Sequence, residues 1–347
     1  MSRAPHVSPP RSGPPQGDQW LDSVKQAFRD VESLCAYLAL PGSAAESAWA
    51  GARDFRLFVP REFAARMRPG DIDDPLLRQV LPVEAEGQDL AGELGPGGGL
   101  DDPVGDGQSA VRPGLLHKYQ RRVLLVTTGA CAVHCRYCFR RHFPYHQSPP
   151  QPSTWDGALD YLAGHPEVDE VILSGGDPLM LTDTTLSQLV GRLESLAHVR
   201  RLRIHTRLPI VIPARVQLEL LEWLSGTRLA TTVVVHANHP QELDEEVWEA
   251  LGRLVGAGIP VLNQAVLLRG INDRPEVLET LCRELVNHRV MPYYLSQLDR
   301  VRGAAHFEVP ESTGRELIGH LRRTLPGYAV PRYVREVAGS EFKLPLE

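Results

Sequence analysis

The sequence predicts an α/β fold, an open (β/α)6 partial TIM barrel, from three observations. From Arg122 onward, short runs rich in β-branched residues alternate with longer amphipathic stretches, the pattern of βα units with a parallel sheet. Six such units can be counted, fewer than a closed eight-stranded barrel needs. Polar motifs follow the runs, where the carboxyl ends of parallel strands would meet at one rim. A flavodoxin-like or Rossmann sheet is the main structural alternative.

Each βα unit is assigned from a short apolar run and the amphipathic stretch behind it. The six predicted strands cover residues 123–127, 170–173, 202–205, 231–236, 260–267 and 290–295. The predicted helices begin near Trp155, Thr182, Pro213, Pro240, Arg274 and Glu311. Because crossovers between parallel strands are right-handed, we expect the six units to form one continuous sheet.

Three further regions are expected around the barrel, which is predicted to span residues 116–328. Residues 1–17 contain five prolines and no apolar stretch typical of a signal peptide, so we predict a disordered tail. Residues 18–115 are predicted to form a mainly helical region with a glycine-rich linker near 95–99. Residues 329–347 are predicted to form a short C-terminal segment, and it contains Lys343, one of three lysines in the chain.

Composition indicates a cytoplasmic enzyme. A net charge of −6 gives no bulk attraction to nucleic acid, and no run of 18 apolar residues is present to span a membrane. Two of the five cysteines, Cys35 and Cys282, stand alone, so no secreted disulfide framework is apparent. We therefore expect neither nucleic acid nor a membrane as a partner.

The other three cysteines, Cys131, Cys135 and Cys138, form a C-x3-C-x2-C array directly after the first predicted strand. Three soft thiolates at this spacing can bind three irons of a [4Fe–4S] cluster and leave the fourth iron open to a small chelating ligand. The alternative is structural zinc, with His134 or His142 as the fourth ligand. Zinc sites usually pair two short clusters of ligands, and the sequence contains no second cysteine pair. The array therefore favours an iron–sulfur cluster.

A second motif, LSGGDPL, follows the second predicted strand. Its two glycines, Gly175 and Gly176, permit a tight turn or a close approach of the backbone to a ligand. Polar side chains also end the other four strands, and their convergence on one rim predicts a ligand site there. These residues are His205, Arg207, His236, Asn238, His239, Gln264, Arg269, Asn272, Ser296, Gln297 and Asp299.

The motifs in combination resemble the lysine 2,3-aminomutase family of radical S-adenosylmethionine (SAM) enzymes. They are CxxxCxxCxRR, LSGGDPL, the NHP of 238–240, NQAVLLRGIND of 263–273, PYYLSQLD of 292–299 and VPRYVREVAGSEFKLPL. The resemblance runs from roughly residue 55 to residue 346. Free-lysine aminomutases carry a cysteine shortly after the RGxND segment and a cysteine-containing C-terminal extension. This chain has Arg274 in that region and ends at Glu347, so it looks like the shorter branch that makes (R)-β-lysine for elongation factor P.

The resemblance implies three cofactors: a [4Fe–4S] cluster on the three cysteines, SAM, and pyridoxal 5′-phosphate (PLP). It implies that Lys343 holds PLP as a Schiff base. The SAM-binding positions would be Ser174, Gly175, Gly176, Asp177, His236 and Gln264, and the PLP-binding positions Lys118, Tyr119, Arg122 and Arg207. Arg140 would bind the substrate carboxylate, and Asp299 and Glu336 the ammonium group of the substrate side chain.

The activity implied is the isomerisation of L-lysine to β-lysine, in the R form. The expected partners are an electron donor such as flavodoxin or ferredoxin, and a lysyl-tRNA-synthetase-like ligase that attaches the product to elongation factor P. One alternative is a free-standing mutase that acts on lysine or another amino acid, although Asp299 and Glu336 argue against an acidic substrate. A non-enzymatic iron–sulfur or zinc-binding protein is the alternative from a different class.

Overall fold

The protein is described by a computed structural model, which covers residues 19–52, 55–87, 99–145 and 155–347. The predicted disordered tail, and most of the predicted glycine-rich linker, lie outside these described residues. None of the helices in the described ranges combines the length and apolar character needed to cross a bilayer.

One sheet of ten strands, ordered as in the chain, runs through the described residues. The strands are β1 (Ala110–Arg112), β2 (Leu115–Tyr119), β3 (Arg122–Thr128), β4 (Glu170–Gly175), β5 (Arg201–His205), β6 (Ala230–His236), β7 (Val261–Val266), β8 (Met291–Ser296), β9 (Arg332–Arg335) and β10 (Leu344–Pro345). Strands β3 to β9 pair in parallel, and the pairs at both ends of the sheet are antiparallel. The prediction of a partial barrel is confirmed.

All six predicted strands are present as β3 to β8, and each observed boundary lies within two residues of the predicted one. Strand β9 extends the parallel sheet by one strand that the hydrophobic pattern did not reveal. Its sequence, RYVR, is short and half polar, so local pattern alone does not distinguish it from a loop. Strands β9 and β10 form an antiparallel pair that carries the C-terminal lysine segment between them.

In the described ranges, seven helices lie between β3 and β9: α5 (Asp156–Ala163), α6 (Asp183–Glu194), α7 (Leu208–Val211), α8 (Leu218–Gly226), α9 (Glu245–Gly256), α10 (Pro275–Asn287) and α11 (Glu311–Thr324). Side-chain caps start two of them, because Thr182 accepts from Thr185 N at 3.3 Å and Asp244 from Val247 N at 3.1 Å. The starts predicted near Pro213 and Pro240 are 3-10 turns, and α8 and α9 begin five residues later.

In the described part of the chain before the barrel there are four short helices: α1 (Gln19–Lys25), α2 (Val31–Tyr37), α3 (Gly42–Ala52) and α4 (Arg61–Ala64). Their apolar side chains share one core with the barrel, in which Trp20, Leu34 and Phe63 belong to the same buried cluster as Leu125 and Leu173. Burial of this continuous apolar surface holds the N-terminal region against the barrel.

The register of the strands brings their carboxyl ends to one rim. Val126 of β3 pairs with Ser174 of β4. His236, Gln264 and Tyr294 are neighbours across β6, β7 and β8. The predicted site residues on different strands therefore meet at one end of the sheet, as in other parallel barrels.

Candidate active site

The three cysteines lie on one loop that follows β3. Cys131 stands three residues beyond the end of the strand. The Cys138 amide donates to the Cys135 carbonyl at 3.0 Å, so the last two cysteines share a tight turn. Within that turn the Arg136 amide donates to the Gln79 carbonyl at 2.8 Å, which ties the loop to the N-terminal region.

The donor set of this loop fits an iron–sulfur cluster. Burial, followed by repulsion from the neighbouring cysteines, raises the pKa of Cys131 and brings that of Cys138 to about 11. Without a metal the thiols of Cys131 and Cys138 are therefore protonated. No group of three His, Cys, Asp or Glu side chains in the described ranges surrounds a single metal-ion position. A cluster does not require such a position, because its cysteine ligands bind different irons.

The two histidines offered as a zinc ligand have other partners. The His134 imidazole donates to the Arg56 carbonyl at 2.8 Å and stacks on Phe55 at 4.9 Å. His142 donates to the Arg302 carbonyl at 3.2 Å, and its second nitrogen lies 3.5 Å from the Arg302 guanidinium. Neither arrangement supports the zinc alternative.

A buried ion triad supports the cysteine loop from the N-terminal side. Arg136 Nε donates to Glu86 Oε1 at 2.8 Å, and Arg141 Nη2 donates to Glu86 Oε2 at 2.7 Å. All three side chains are at most 2% exposed. Sequence reasoning missed Glu86, because it lies in a segment with no motif and meets the arginines only through tertiary packing.

The two glycines after β4 are required by close contact with the start of the cysteine loop. Gly175 has φ +125°, and a Cβ there would lie 2.5 Å from the Thr128 carbonyl oxygen. A Cβ on Gly176 would lie 2.3 Å from the Ala130 carbonyl oxygen. The Gly176 amide donates to Thr128 O at 2.7 Å, so the glycine pair positions the backbone that leads into Cys131.

Groups of the protein itself occupy the hydrogen-bond acceptor positions of the Asp177 carboxylate. It accepts four hydrogen bonds of 2.7–3.0 Å, from Leu179 N, Thr206 Oγ1, Arg207 N and Leu208 N. A carboxylate has about four lone-pair directions, so no acceptor remains for SAM. The structure therefore does not support a direct SAM contact by this side chain, which instead joins the turn after β4 to the turn after β5.

Arg207 lies on the cysteine side of the rim. Its guanidinium donates to Cys135 Sγ at 2.7 Å, to Gln79 Oε1 at 2.7 Å and to Glu242 Oε2 at 2.9 Å. Glu242 is fully buried and accepts from Gln79 as well. These contacts leave Arg207 out of the group formed by Lys118 and Tyr119, so the structure does not support a PLP phosphate contact by Arg207.

Several other polar residues at the rim are structural. Asn238 is fully buried and donates to Gln79 Oε1 at 3.0 Å and to the Tyr137 hydroxyl at 2.7 Å. Asn272 donates to the Asn238 carbonyl at 3.1 Å. These contacts give Asn238 of the NHP motif and Asn272 of the RGIND motif a role in loop packing.

His236 and Gln264 remain accessible at the ends of β6 and β7. Burial, followed by the charge of Arg207, lowers the pKa of His236 to about 4, so its imidazole is neutral. The Tyr137 hydroxyl lies 3.4 Å from His236 Nε2. Both side chains can offer neutral hydrogen-bonding groups to a ligand beside the cysteine loop.

A second polar cluster forms around Glu336, just after β9. Its carboxylate accepts from Lys118 Nζ at 2.9 Å and from the Tyr119 hydroxyl at 2.9 Å, and it pairs with the Lys343 ammonium. Burial alone would raise the pKa of Glu336, but Lys343 and Lys118 outweigh that effect and hold it at about 2. The structure thus brings four predicted site residues together.

Lys118 and Arg122 differ in what they can offer a phosphate. Lys118 Nζ already donates to Val104 O at 2.8 Å, to Asp106 Oδ1 at 3.1 Å and to Glu336, so its three hydrogens are used. The Arg122 guanidinium lies 4.4 Å from the Tyr119 ring centroid and has no hydrogen-bond acceptor among the described residues. Arg122 therefore has more donors available for a phosphate than Lys118 has.

Arg140 lies between the polar cluster around Glu336 and the end of β4. Its Nε donates to Asp106 Oδ2 at 2.7 Å and its Nη1 to Ser174 Oγ at 3.1 Å. The guanidinium also lies 4.8 Å from the Phe139 ring centroid. The remaining Nη2 group has no acceptor in the described ranges, which suits a guanidinium that is to bind a carboxylate.

Asp299 follows β8 and lies near the same charges. Burial raises the pKa of Asp299 to about 7, and Lys343 opposes the shift. The carboxyl group is therefore partly protonated near neutral pH, which leaves it ready to lose its proton when a cationic group arrives.

This fold and site define a radical SAM enzyme, and residues 125–281 match the family model of the radical SAM superfamily. The superfamily implies a [4Fe–4S] cluster and SAM, which the cysteine loop fits. The chain is 45% identical to an L-lysine 2,3-aminomutase of Escherichia coli (strain K12), covering 96% of both chains. It is 41% identical to that of Haemophilus influenzae, covering 93% of this chain and 94% of the other, and 36% identical to that of Clostridium subterminale, covering 95% and 78%. The chain belongs to the L-lysine 2,3-aminomutase family and is an isomerase.

Proposed function

We propose that the protein is a PLP-dependent lysine 2,3-aminomutase that converts L-lysine to (R)-β-lysine. The observation that carries the proposal is the charge pattern of the rim, where Arg140 is suited to an α-carboxylate and Glu336 and Asp299 to a side-chain ammonium. When bound, the cluster with SAM supplies hydrogen-atom abstraction, and PLP supplies an aldehyde that forms imines with amines and delocalises an adjacent unpaired electron. Family membership supports both parts.

The protein's own groups would divide the work between two ends of the substrate. Arg140 would bind the α-carboxylate through its Nη edge, because Asp106 occupies Nε. Lys343 would hold PLP, and Tyr119 with Arg122 would flank it. His236 and Gln264 would contact SAM through neutral hydrogen bonds.

Glu336 would change partners during the cycle. In the structure it pairs with the Lys343 ammonium, a primary alkylammonium of the same kind as the end of a lysine side chain. With PLP held at Lys343, that donor would be withdrawn from Glu336 and one carboxylate oxygen would be left open. Glu336 and Asp299 would then share the substrate ammonium, which explains why an acidic substrate is disfavoured.

We assign the protein to the branch that supplies elongation factor P. Arg274, at the start of α10, stands in the region where free-lysine enzymes carry a zinc-binding cysteine. Its side chain is 67% exposed and lies 3.7 Å from Glu276. The product would be used by a lysyl-tRNA-synthetase-like ligase in the cytoplasm, with electrons supplied by a flavodoxin or ferredoxin.

Anaerobic incubation of the iron–sulfur-reconstituted protein with L-lysine, PLP, SAM and a strong reductant tests the proposal. The products are separated by chiral chromatography with mass detection, and Lys343→Ala serves as the inactive control. (R)-β-lysine supports the proposal. (S)-β-lysine would move the chain to the free-lysine enzymes, and SAM cleavage without β-lysine would discard the substrate.

A further inference from the structure

An acidic residue outside every motif, Asp106, lies at the centre of the charged rim. It belongs to the segment 99–109, which precedes the sheet and which we call the strap. The start of the strap pairs with the chain beyond Asp299, through Leu100 N to Arg300 O at 2.9 Å and Arg302 N to Leu100 O at 3.0 Å. The strap therefore connects the loop after β8 to the strand β1.

The backbone around Asp106 is fixed by its own turn. Asp102 accepts from Asp106 N at 2.9 Å and from Gly107 N at 2.8 Å. Gly105 has φ +69°, and a Cβ there would lie 2.9 Å from the Ala338 Cβ, in the loop that leads to Lys343. The position of the Asp106 side chain is thus set before any ligand binds.

The Asp106 carboxylate joins two cations that the preceding proposal gives to different ligands. Its Oδ2 accepts from Arg140 Nε at 2.7 Å and its Oδ1 from Lys118 Nζ at 3.1 Å, and the residue is 2% exposed. Burial would raise its pKa, but Arg140 and Lys118 outweigh burial and lower it, so Asp106 is ionised.

The contact decides which edge of Arg140 faces a ligand. A guanidinium binds a carboxylate in two-point fashion through either the Nε–Nη2 edge or the Nη1–Nη2 edge. Asp106 occupies Nε, and Ser174 Oγ takes one hydrogen of Nη1. Nη2 and the second Nη1 hydrogen are left, so the Nη1–Nη2 edge is the one available.

We propose that Asp106 is a positioning residue that orients Arg140 for the α-carboxylate of an amino acid substrate. This rests on the proposed function for the identity of the amino acid, and on the Arg140–Asp106 geometry for the role itself. Loss of the Asp106 charge frees Arg140 Nε, so the guanidinium turns about its side chain and the two-point carboxylate contact is lost. Asp106 itself makes no hydrogen bond to Glu336 or Asp299, so the ammonium end of the substrate is affected less.

The test measures binding without turnover, by anaerobic calorimetry of the reconstituted holoenzyme in the absence of reductant. L-lysine is compared with cadaverine, which is lysine without the α-carboxylate. Asp106→Asn is expected to weaken L-lysine by about tenfold or more, the range for one charge-assisted hydrogen bond, and cadaverine by less than about twofold. In an Arg140→Ala background, Asp106→Asn should add no further loss.

Asp101→Asn is the matched control, because Asp101 lies in the same strap and pairs with Arg302 rather than with Arg140 or Lys118. It is expected to leave the ratio of the two affinities unchanged. Equal weakening of both ligands by Asp106→Asn, or an additive loss in the Arg140→Ala background, would overturn the role. If Asp106→Asn does not fold, judged by iron content and melting temperature, Asp106→Glu is put through the same comparison.

The outcome is separable from that of the proposed function. If the wild type binds another L-amino acid instead of lysine, the comparison is repeated with that amino acid and its decarboxylated amine. A selective loss there would keep the role of Asp106 and reject lysine as the substrate. A wild type that binds no amino acid at all would overturn the role of Asp106.

Discussion

The two sides of the barrel rim satisfy their charges in different ways. On the cysteine side, Arg136 and Arg207 are paired with Glu86 and Glu242, side chains at most 7% exposed, and each guanidinium makes further hydrogen bonds to neighbouring groups. On the lysine side, Glu336 and its ammonium partner Lys343 are 13% and 31% exposed. The ion pairs on the cysteine side are as buried as a protein core, whereas the Glu336–Lys343 pair on the lysine side is partly exposed.

The difference follows from what each side must do. A buried ion pair is costly to break, because the remaining charge is stranded away from water. Such pairs suit a loop that must hold three thiols in one place. Partly exposed ion pairs contribute little to stability and exchange partners readily. They would suit the proposed exchange, in which a substrate ammonium takes the place of that of Lys343.

The largest expected effect is the loss of the cluster on the cysteine side. Cys131→Ala, Cys135→Ala and Cys138→Ala should each abolish the visible absorbance and iron content of the cluster and lower turnover by on the order of a thousandfold or more, because each thiolate binds a different iron. PLP binding should persist in all three. Cys282→Ala, in buried α10, is the control, and turnover in any array variant would remove that cysteine from the ligand set.

Loss of the proposed PLP lysine, on the lysine side, should leave the iron–sulfur cluster intact. Lys343→Ala is expected to abolish the imine absorbance of bound PLP and the formation of β-lysine, while iron content stays at the wild-type level. Lys25→Ala is the control, because Lys25 is 72% exposed in α1. Loss of iron in Lys343→Ala would show that the two sides do not load independently.

The next effect in size concerns the free energy of unfolding, which should fall more for a variant on the cysteine side than for one on the lysine side. Glu242→Gln strands Arg207 as a buried charge and should lower the free energy of unfolding by about 3–5 kcal/mol. Glu336→Gln should cost less, about 1–2 kcal/mol, because its partners are partly exposed. Glu246→Gln, on the exposed face of α9, is the control. Equal losses at Glu242 and Glu336, measured by urea unfolding, would contradict the comparison.

The smallest expected effect concerns Asp299, whose pKa burial raises to about 7. Its ionised form binds an ammonium, so the KM for L-lysine should fall several-fold as pH rises through about 7. Asp299→Asn should lose this dependence.

The same ionisation costs stability. The pKa of Asp299 is higher in the folded than in the unfolded protein. The free energy of unfolding of the wild type therefore falls as pH rises from about 4 to about 7. Asp299→Asn should therefore melt with the wild type near pH 4 and above it beyond pH 7. If the melting temperatures of the wild type and Asp299→Asn depend on pH in the same way, the titrating group is not Asp299.

Sequence reasoning recovered the elements whose signals are local. The six barrel strands are short apolar runs, and the cysteine array is a spacing, so both can be read along the chain. The partners that orient the site are not local. Asp106, Glu86 and Gln79 come from segments without motifs and reach the rim only when the N-terminal region packs on the barrel.

The same limit applies to single side chains at the rim. Asp177 and Arg207 follow strand ends and have the chemistry of ligand-binding residues, but Asp177 accepts four hydrogen bonds and Arg207 donates three within the protein. Sequence position predicts which rim a side chain reaches. It does not predict whether protein groups there already satisfy it.

The close contact of Gly175 and Gly176 with the start of the cysteine loop has a consequence for how the enzyme matures. The backbone of the loop takes its shape only when β4 has docked, and Cys135 gains its Arg207 neighbour only after β5. A nascent chain that already exposes all three cysteines lacks these supports. Iron is therefore expected to enter after synthesis, into a barrel that is already folded, and cells short of iron should accumulate an intact apoprotein rather than truncated or degraded chains.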